Sequence, residues 1–153
     1  MQRRTLVLTG VGALLGACAA PATRHSRESA VKVVTEAELA FAKTMADRDH
    51  SAFLNFVSDE AIFMNGGRPL RGRAAIGEHW KKYYADASPP FSWRPDLVEV
   101  VESGVLAQST GPVAAPSGAV VARYYSTWRL EADGRWRVVF DDGYDVCDCA
   151  KSP

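Results

Sequence analysis

The chain has 153 residues, in which 18 lysines and arginines balance 18 aspartates and glutamates, leaving no net formal charge. With no basic stripe or arm, that balance argues against a nucleic-acid partner. Once the two ends are set aside, the remaining length suits one domain with a real core.

The N-terminal end carries an address. Arg3 and Arg4 precede an uncharged apolar run over residues 5–15, and Gly16, Ala17 and Cys18 follow. This is the layout of a secretory signal, and the run falls short of the roughly 20 residues that span a bilayer. The tetrad Leu15-Gly16-Ala17-Cys18 resembles a bacterial lipobox, which implies cleavage before Cys18 and lipidation of its thiol. The expected organisation is a signal peptide at 1–17, a lipidated cysteine and flexible tether at 18–28, a domain at 29–143 and a Cys-containing tail at 144–153. The expected location is the cell envelope, with the lipid on Cys18 holding the chain to a membrane and the domain facing the periplasm. Ala19 after that cysteine points to the outer membrane in a Gram-negative cell. Cys147 and Cys149 are a possible disulfide, although a Cys-x-Cys loop is small and strained. Two cysteines do not close a tetrahedral zinc site, and His25, His50 and His79 show no ligand spacing. No metal and no cofactor are expected.

The domain reads as helices followed by strands. Val33, Val34, Ala37, Leu39, Ala40, Phe41 and Met45 recur at helical spacing over residues 29–48, predicting an amphipathic helix. Residues 51–57 predict a second, shorter helix with Phe53 and Phe56 turned inward, and residues 61–64 a short strand. Asn65-Gly66-Gly67 is a turn signal. A third helix follows over 74–84, its stripe carrying Ile76, Trp80 and Tyr83 or Tyr84. After Pro90 the chain reads as strands at 93–102, 105–110, 120–130 and 135–140, with a Pro/Gly loop at 111–118. Gly134 suits a left-handed position in the last hairpin. Segregated helices and an antiparallel sheet define an α+β class.

Four stretches carry a resemblance: Ala46-Asp47-Arg48-Asp49, Ser58-Asp59-Glu60-Ala61, Pro69 to Ile76 (PLRGRAAI) and Asp133 to Val139 (DGRWRVV). With this element order they are similar to the nuclear-transport-factor-2-like, SnoaL-like superfamily, and most of all to its ketosteroid-isomerase-like group of unknown function. The resemblance implies a cystatin-like cone, in which a curved antiparallel sheet packs on the N-terminal helix with two shorter helices and leaves a pocket at its wide end. It also implies a test of steroid isomerisation, which needs an Asp base, a Tyr and a protonated acid. The corresponding positions fall on Asn65, Phe41 and Arg123, so all three roles are vacated and that chemistry is not expected.

Strand parity gives an independent reading of the last hairpin. Pairing Glu131 with Arg135 sets Trp128 opposite Val138 and Leu130 opposite Trp136. One face is then apolar, with Trp128, Leu130, Trp136, Val138 and Phe140. The other carries Arg123, Tyr125, Thr127, Val139 and Asp141, with Tyr125 facing Asp141. If the mixed face lines the cone, Arg123 and Asp141 are within reach of an ion pair, which would make Asp141 a weak base. If Asp141 is instead desolvated and unpaired, its pKa rises and base catalysis opens. The apolar face is then an outward interface, or, with the sheet inverted, its tryptophans are core.

The candidate pocket is therefore Phe41, Met45, Asn65, Trp80, Arg123, Tyr125 and Asp141, with Asp141 the candidate catalytic residue. Three functions follow: an exported lipoprotein binding a small apolar or amphipathic molecule, an isomerase- or cyclase-like enzyme working through Asp141, Arg123 and Tyr125, or a homodimeric protein-interaction module.

Overall fold

The computed structural model describes residues 27–146. The signal segment, Cys18, the tether up to residue 26 and the Cys147–Cys149 pair lie outside the described residues. Among the described residues, no helix is long and apolar enough to cross a membrane.

Helix α1 (Arg27–Ala46) opens the domain and buries Val34, Glu38, Phe41 and Met45 along one face. Those positions step by four, three and four residues, the spacing that keeps side chains on one side of a helix. Arg48 ends the helix with a φ of 60°. This left-handed conformation, uncommon for a residue with a side chain, is held by the guanidinium, which donates to the carbonyls of Met45, Tyr83 and Asp86. Arg48 thereby ties the end of α1 to the rim of the site. Asp49 caps the short helix α2 (His50–Asn55), its carboxylate accepting from the Ala52 N–H at 2.8 Å.

Strand β1 (Val57–Asn65) turns through Gly66 and Gly67, both at positive φ, into β2 (Arg68–Arg71), with Asn65 opposite Arg68. This is the two-residue hairpin that glycine favours. Helix α3 (Arg73–Trp80) continues into a 3₁₀ turn, Lys81–Tyr84. The short strands β3 (Ser92–Trp93) and β4 (Leu97–Val100) precede β5 (Leu106–Ala114), β6 (Val120–Leu130) and β7 (Trp136–Asp145).

The seven strands form one sheet in the order β2-β1-β7-β6-β5-β3, with β4 also paired to β5. The sheet is mixed rather than wholly antiparallel, because β1 runs parallel to β7. Its concave face closes on α1 around Phe41, Phe53, Phe63, Trp128 and Val138. The expected loop at 111–118 begins later, since β5 stays paired with β6 as far as Ala114. Gly111 and Pro112 remain in the strand because β3 reaches only to Val113 and β4 starts at Thr110. In that gap the chain from Arg94 to Asp96 crosses β5 so closely that a Cβ on Gly111 would lie 1.9 Å from the Arg94 carbonyl oxygen. Pro112, which lacks an N–H, occupies the same break in the ladder.

Candidate functional site

The last hairpin decides which side chains face inward. Trp128 pairs with Val138 and Leu130 with Trp136, and all four lie in or against the core. The sheet is therefore oriented with its tryptophans inside. Between Thr127 and Trp128 the register shifts, leaving Val139 as an extra residue in β7. Such a bulge reverses the alternation beyond it. Asp141 consequently pairs with Ser126, not Tyr125, and joins Tyr124, Ser126 and Trp128 on the concave face. Phe140 is turned outward and is 54% exposed.

Two corrections to the parity reading follow. Arg123 does not approach Asp141; it forms a two-pronged pair with Asp96 between β6 and the β3–β4 link. Tyr125 stands on the convex face beside Tyr144, ring centroids 6.0 Å apart, and borders an outer hollow with Phe140 and Met64. Both residues share the parity of Thr127, which Trp128 forces outward. Met45 is buried under Arg48 and lines neither of the inner cavities described next.

Phe41, Asn65, Trp80 and Asp141 are brought to one cleft. Its deep end, ≈ 50 Å³, lies between Phe41, Trp80, Phe91, Trp93, Tyr124 and Asp141. It continues into a wider mouth of ≈ 420 Å³, where Asn65, His79, Tyr83, Asp142 and Asp145 join. The rings interlock: Phe91 lies 6.1 Å from Trp80 and 6.0 Å from Trp93, and Trp93 meets Phe41 edge-on at 5.4 Å. Edge-to-face contacts of this kind hold aromatic walls in place. His79 Nε2 is buried at this cleft with no hydrogen-bond partner among the described residues.

Asp141 is the carboxyl at the deep end of the cleft. Its carboxylate accepts from the Ser126 hydroxyl at 2.6 Å. Burial drives its pKa up to about 7; Ser126 opposes that shift, and the nearby charges of Glu38 and Asp142 add to it. Among the described residues no cation is paired with it, so desolvation prevails.

Glu38, absent from the sequence-based candidates, lies behind the aromatic wall and is fully buried. The indole N–H of Trp93 donates to its Oε1 and that of Trp128 to its Oε2, each at 2.8 Å. Burial nevertheless holds its pKa above the ordinary carboxylate value. The Ser109 hydroxyl in turn lies 3.0 Å from the Tyr124 hydroxyl. Burial pushes the Tyr124 phenol up as well. Glu38 had a visible signal in the sequence: it is an acid in the middle of the stripe Val34, Phe41, Met45. Tyr124 had one too, since it shares the parity of Trp128. Among the described residues there is no cluster of three or more metal-ligating side chains.

The model of the SnoaL-like domain family matches residues 39–139. No curated protein matches the chain significantly. Among solved structures, the chain is similar to a nuclear-transport-factor-2-like protein of unknown function from Pseudomonas putida, with 15% identity, 84% of this chain and 95% of that one covered, and a TM-score of 0.67. A ketosteroid isomerase-like protein from Erwinia carotovora atroseptica aligns at 17% identity over 76% of this chain and 96% of that one, with a TM-score of 0.61. A cystatin-like fold protein from Burkholderia xenovorans aligns at 16% identity over 78% and 93%, with a TM-score of 0.62. At these identities the likeness is one of fold.

Proposed function

Since the chain belongs to the SnoaL-like domain family, whose fold is a scaffold and not an activity, we propose a function from its own cleft: an envelope-anchored lipoprotein that takes up a small amphipathic molecule and exchanges a proton with it at Asp141. The observation that carries this reading is a carboxyl with no cationic partner, set in an aromatic-walled cleft with a pKa of about 7. A group poised there is half ionised near neutrality, which suits proton transfer in either direction. Trp80, Phe91 and Trp93 supply the apolar contact, while Tyr124, Asn65 and Asp141 supply the few polar ones, the usual composition of a small-molecule site. The steroid-isomerase arrangement is not part of the proposal, because Asn65 and Phe41 stand where its acid and phenol would. The anchor rests on the lipobox-like tetrad ending at Cys18.

The test is a carbon-detected NMR titration of the full chain, with Asp141→Asn to assign the resonance. A carboxyl titrating near 7, whose midpoint moves when a bound small molecule is added, supports the proposal. Titration of Asp141 in the ordinary carboxylate range overturns it.

A second reading rests on the convex face. Phe140 and Tyr144, 54% and 62% exposed, stand there beside Tyr125. Contiguous exposed aromatic area favours an interface, and a homodimer through this face would cover it without obstructing the cleft.

A further inference from the structure

The side chains that line the cleft, and those that hold them, limit what it can accept. An indole N–H only donates, so both oxygens of Glu38 are acceptors toward Trp93 and Trp128. The Ser109 and Tyr124 hydroxyls meet at 3.0 Å, and either can donate. Either way the Tyr124 oxygen keeps a lone pair for the cleft that Tyr124 lines. At Asp141, Ser126 occupies Oδ2, and the ionised carboxylate offers its other oxygen only as an acceptor.

Asp141, Asp142 and Asp145 line the cleft, and no lysine or arginine lines either part of it. Two carboxyl groups, Glu38 and Asp141, interact through their charges, again without a cation between them. The remaining walls are the faces and edges of Trp80, Phe91, Trp93 and Tyr83. Aromatic faces attract a cation, most strongly where water is excluded. One class of ligand answers all of these features: it brings donors and positive charge, and it is apolar around that charge.

We infer that the cleft recognises an organic cation, an amine or alkylammonium group, seated against Trp80, Phe91 and Trp93 with its charge directed at Asp141 and the Tyr124 oxygen. This rests on the reading of the cleft as a small-molecule site and names the chemical class it takes. Glu38 acts as a positioning residue, fixing Trp93 through Oε1. An anionic ligand would meet like charge from Asp141, Asp142 and Asp145 and no lysine or arginine.

The experiment compares choline with 3,3-dimethylbutan-1-ol, the same shape with carbon in place of the charged nitrogen. Binding to the full chain is followed at pH 8 through tryptophan fluorescence and the indole N–H resonances of Trp80 and Trp93. Choline should bind about tenfold more tightly than the alcohol, and Asp141→Asn should reduce that preference to about threefold or less. Folding of the variant is checked by its retained Trp128 indole resonance. Tyr124→Phe, which keeps the ring and removes the oxygen, should weaken choline more than the alcohol. Equal binding, preference for the alcohol, or no binding of choline overturns the inference. Titration of Asp141 in the same samples separates the two failures: a midpoint near 7 with the alcohol preferred leaves the small-molecule cleft standing, and a midpoint in the ordinary carboxylate range removes that as well.

Discussion

The 2.6 Å hydrogen bond from Ser126 to Asp141 exists because β7 carries one residue more than its partner strand needs. With regular alternation Asp141 would follow Val139 to the side of Thr127 and face solvent. The bulge turns it inward, away from Arg123, and burial then sets its pKa. Bulges are used this way beside functional sites, to re-aim one side chain at little cost to the sheet.

That placement gives the protein a pH-dependent stability with a definite sign. The folded-state pKa of Asp141 is raised to about 7 from the ordinary carboxylate value. Its stabilising contribution is therefore full below pH 4, where it is protonated in both states, and is lost as pH rises toward 7. Its charged neighbours are Glu38 from α1 and Asp142 on β7, with Tyr124 and Ser126 from β6 and His79 from α3 at the same cleft. Asp141→Asn keeps an acceptor for Ser126 and removes the buried charge. It should stabilise the protein at pH 8 by on the order of 2 kcal/mol, after discounting for partial solvation, and by little at pH 4. Thermal melts at the two pH values check this; an equal shift at both would show that Asp141 is not desolvated.

Glu38→Gln tests the buried carboxyl. One oxygen becomes an NH₂ group that must face an indole N–H, donor against donor, at a site with no access to water. The expected cost is about 1–3 kcal/mol, read as a lower midpoint in urea. Because the Glu38 charge helps to raise the Asp141 pKa, the same change should move the Asp141 titration downward. Loss of stability with no movement of that titration would uncouple the two acids.

The fold was largely legible because it is written in spacing. The stripe of α1, the Asn65-Gly66-Gly67 turn, and the pairing of Trp128 with Val138 and Leu130 with Trp136 all follow from local periodicity and turn chemistry. The site was only half legible. Phe41, Asn65, Trp80 and Asp141 do line one cleft, but Arg123 and Tyr125 do not. The error has two physical sources: strand parity does not say which face of the sheet is inside, and a period-two reading carries no mark for a single extra residue such as Val139. Glu38 was missed because attention to a helical stripe favours its apolar members, although an acid within that stripe is the one that must find buried donors.

Gly111 provides a test of how the cleft's outer wall is held. The Arg94 carbonyl passes over it where a Cβ would lie 1.9 Å away, and the Asp96 nitrogen would be at 3.1 Å. Both contacts are backbone and cannot rotate aside. Gly111→Ala should therefore lift the β3–β4 link and cost about 3 kcal/mol. Because Trp93 ends β3 and donates to Glu38, its indole N–H resonance should move while that of Trp128 stays. If both stay, the link has shifted without disturbing the wall.

The convex face calls for a different kind of variant. Phe140 is 54% exposed and packs in no core cluster, so Phe140→Lys should change the stability of an isolated subunit by no more than about 0.5 kcal/mol. If two copies meet through this face, the same substitution sets like charges against each other across a self-complementary contact, because a two-fold interface repeats each residue. Sedimentation velocity should then show a dimer for the unaltered chain and a monomer for the variant, with the Asp141 titration unchanged in both. A monomer in both cases would leave Phe140 and Tyr144 as solvent-facing aromatics and remove the homodimer reading. A dimer in both would move the interface elsewhere on the sheet. Inside and outside are separable here because successive strand residues point to opposite faces, and the bulge at Val139 makes Asp141 the inward one: one residue reports on association, the next on the cleft.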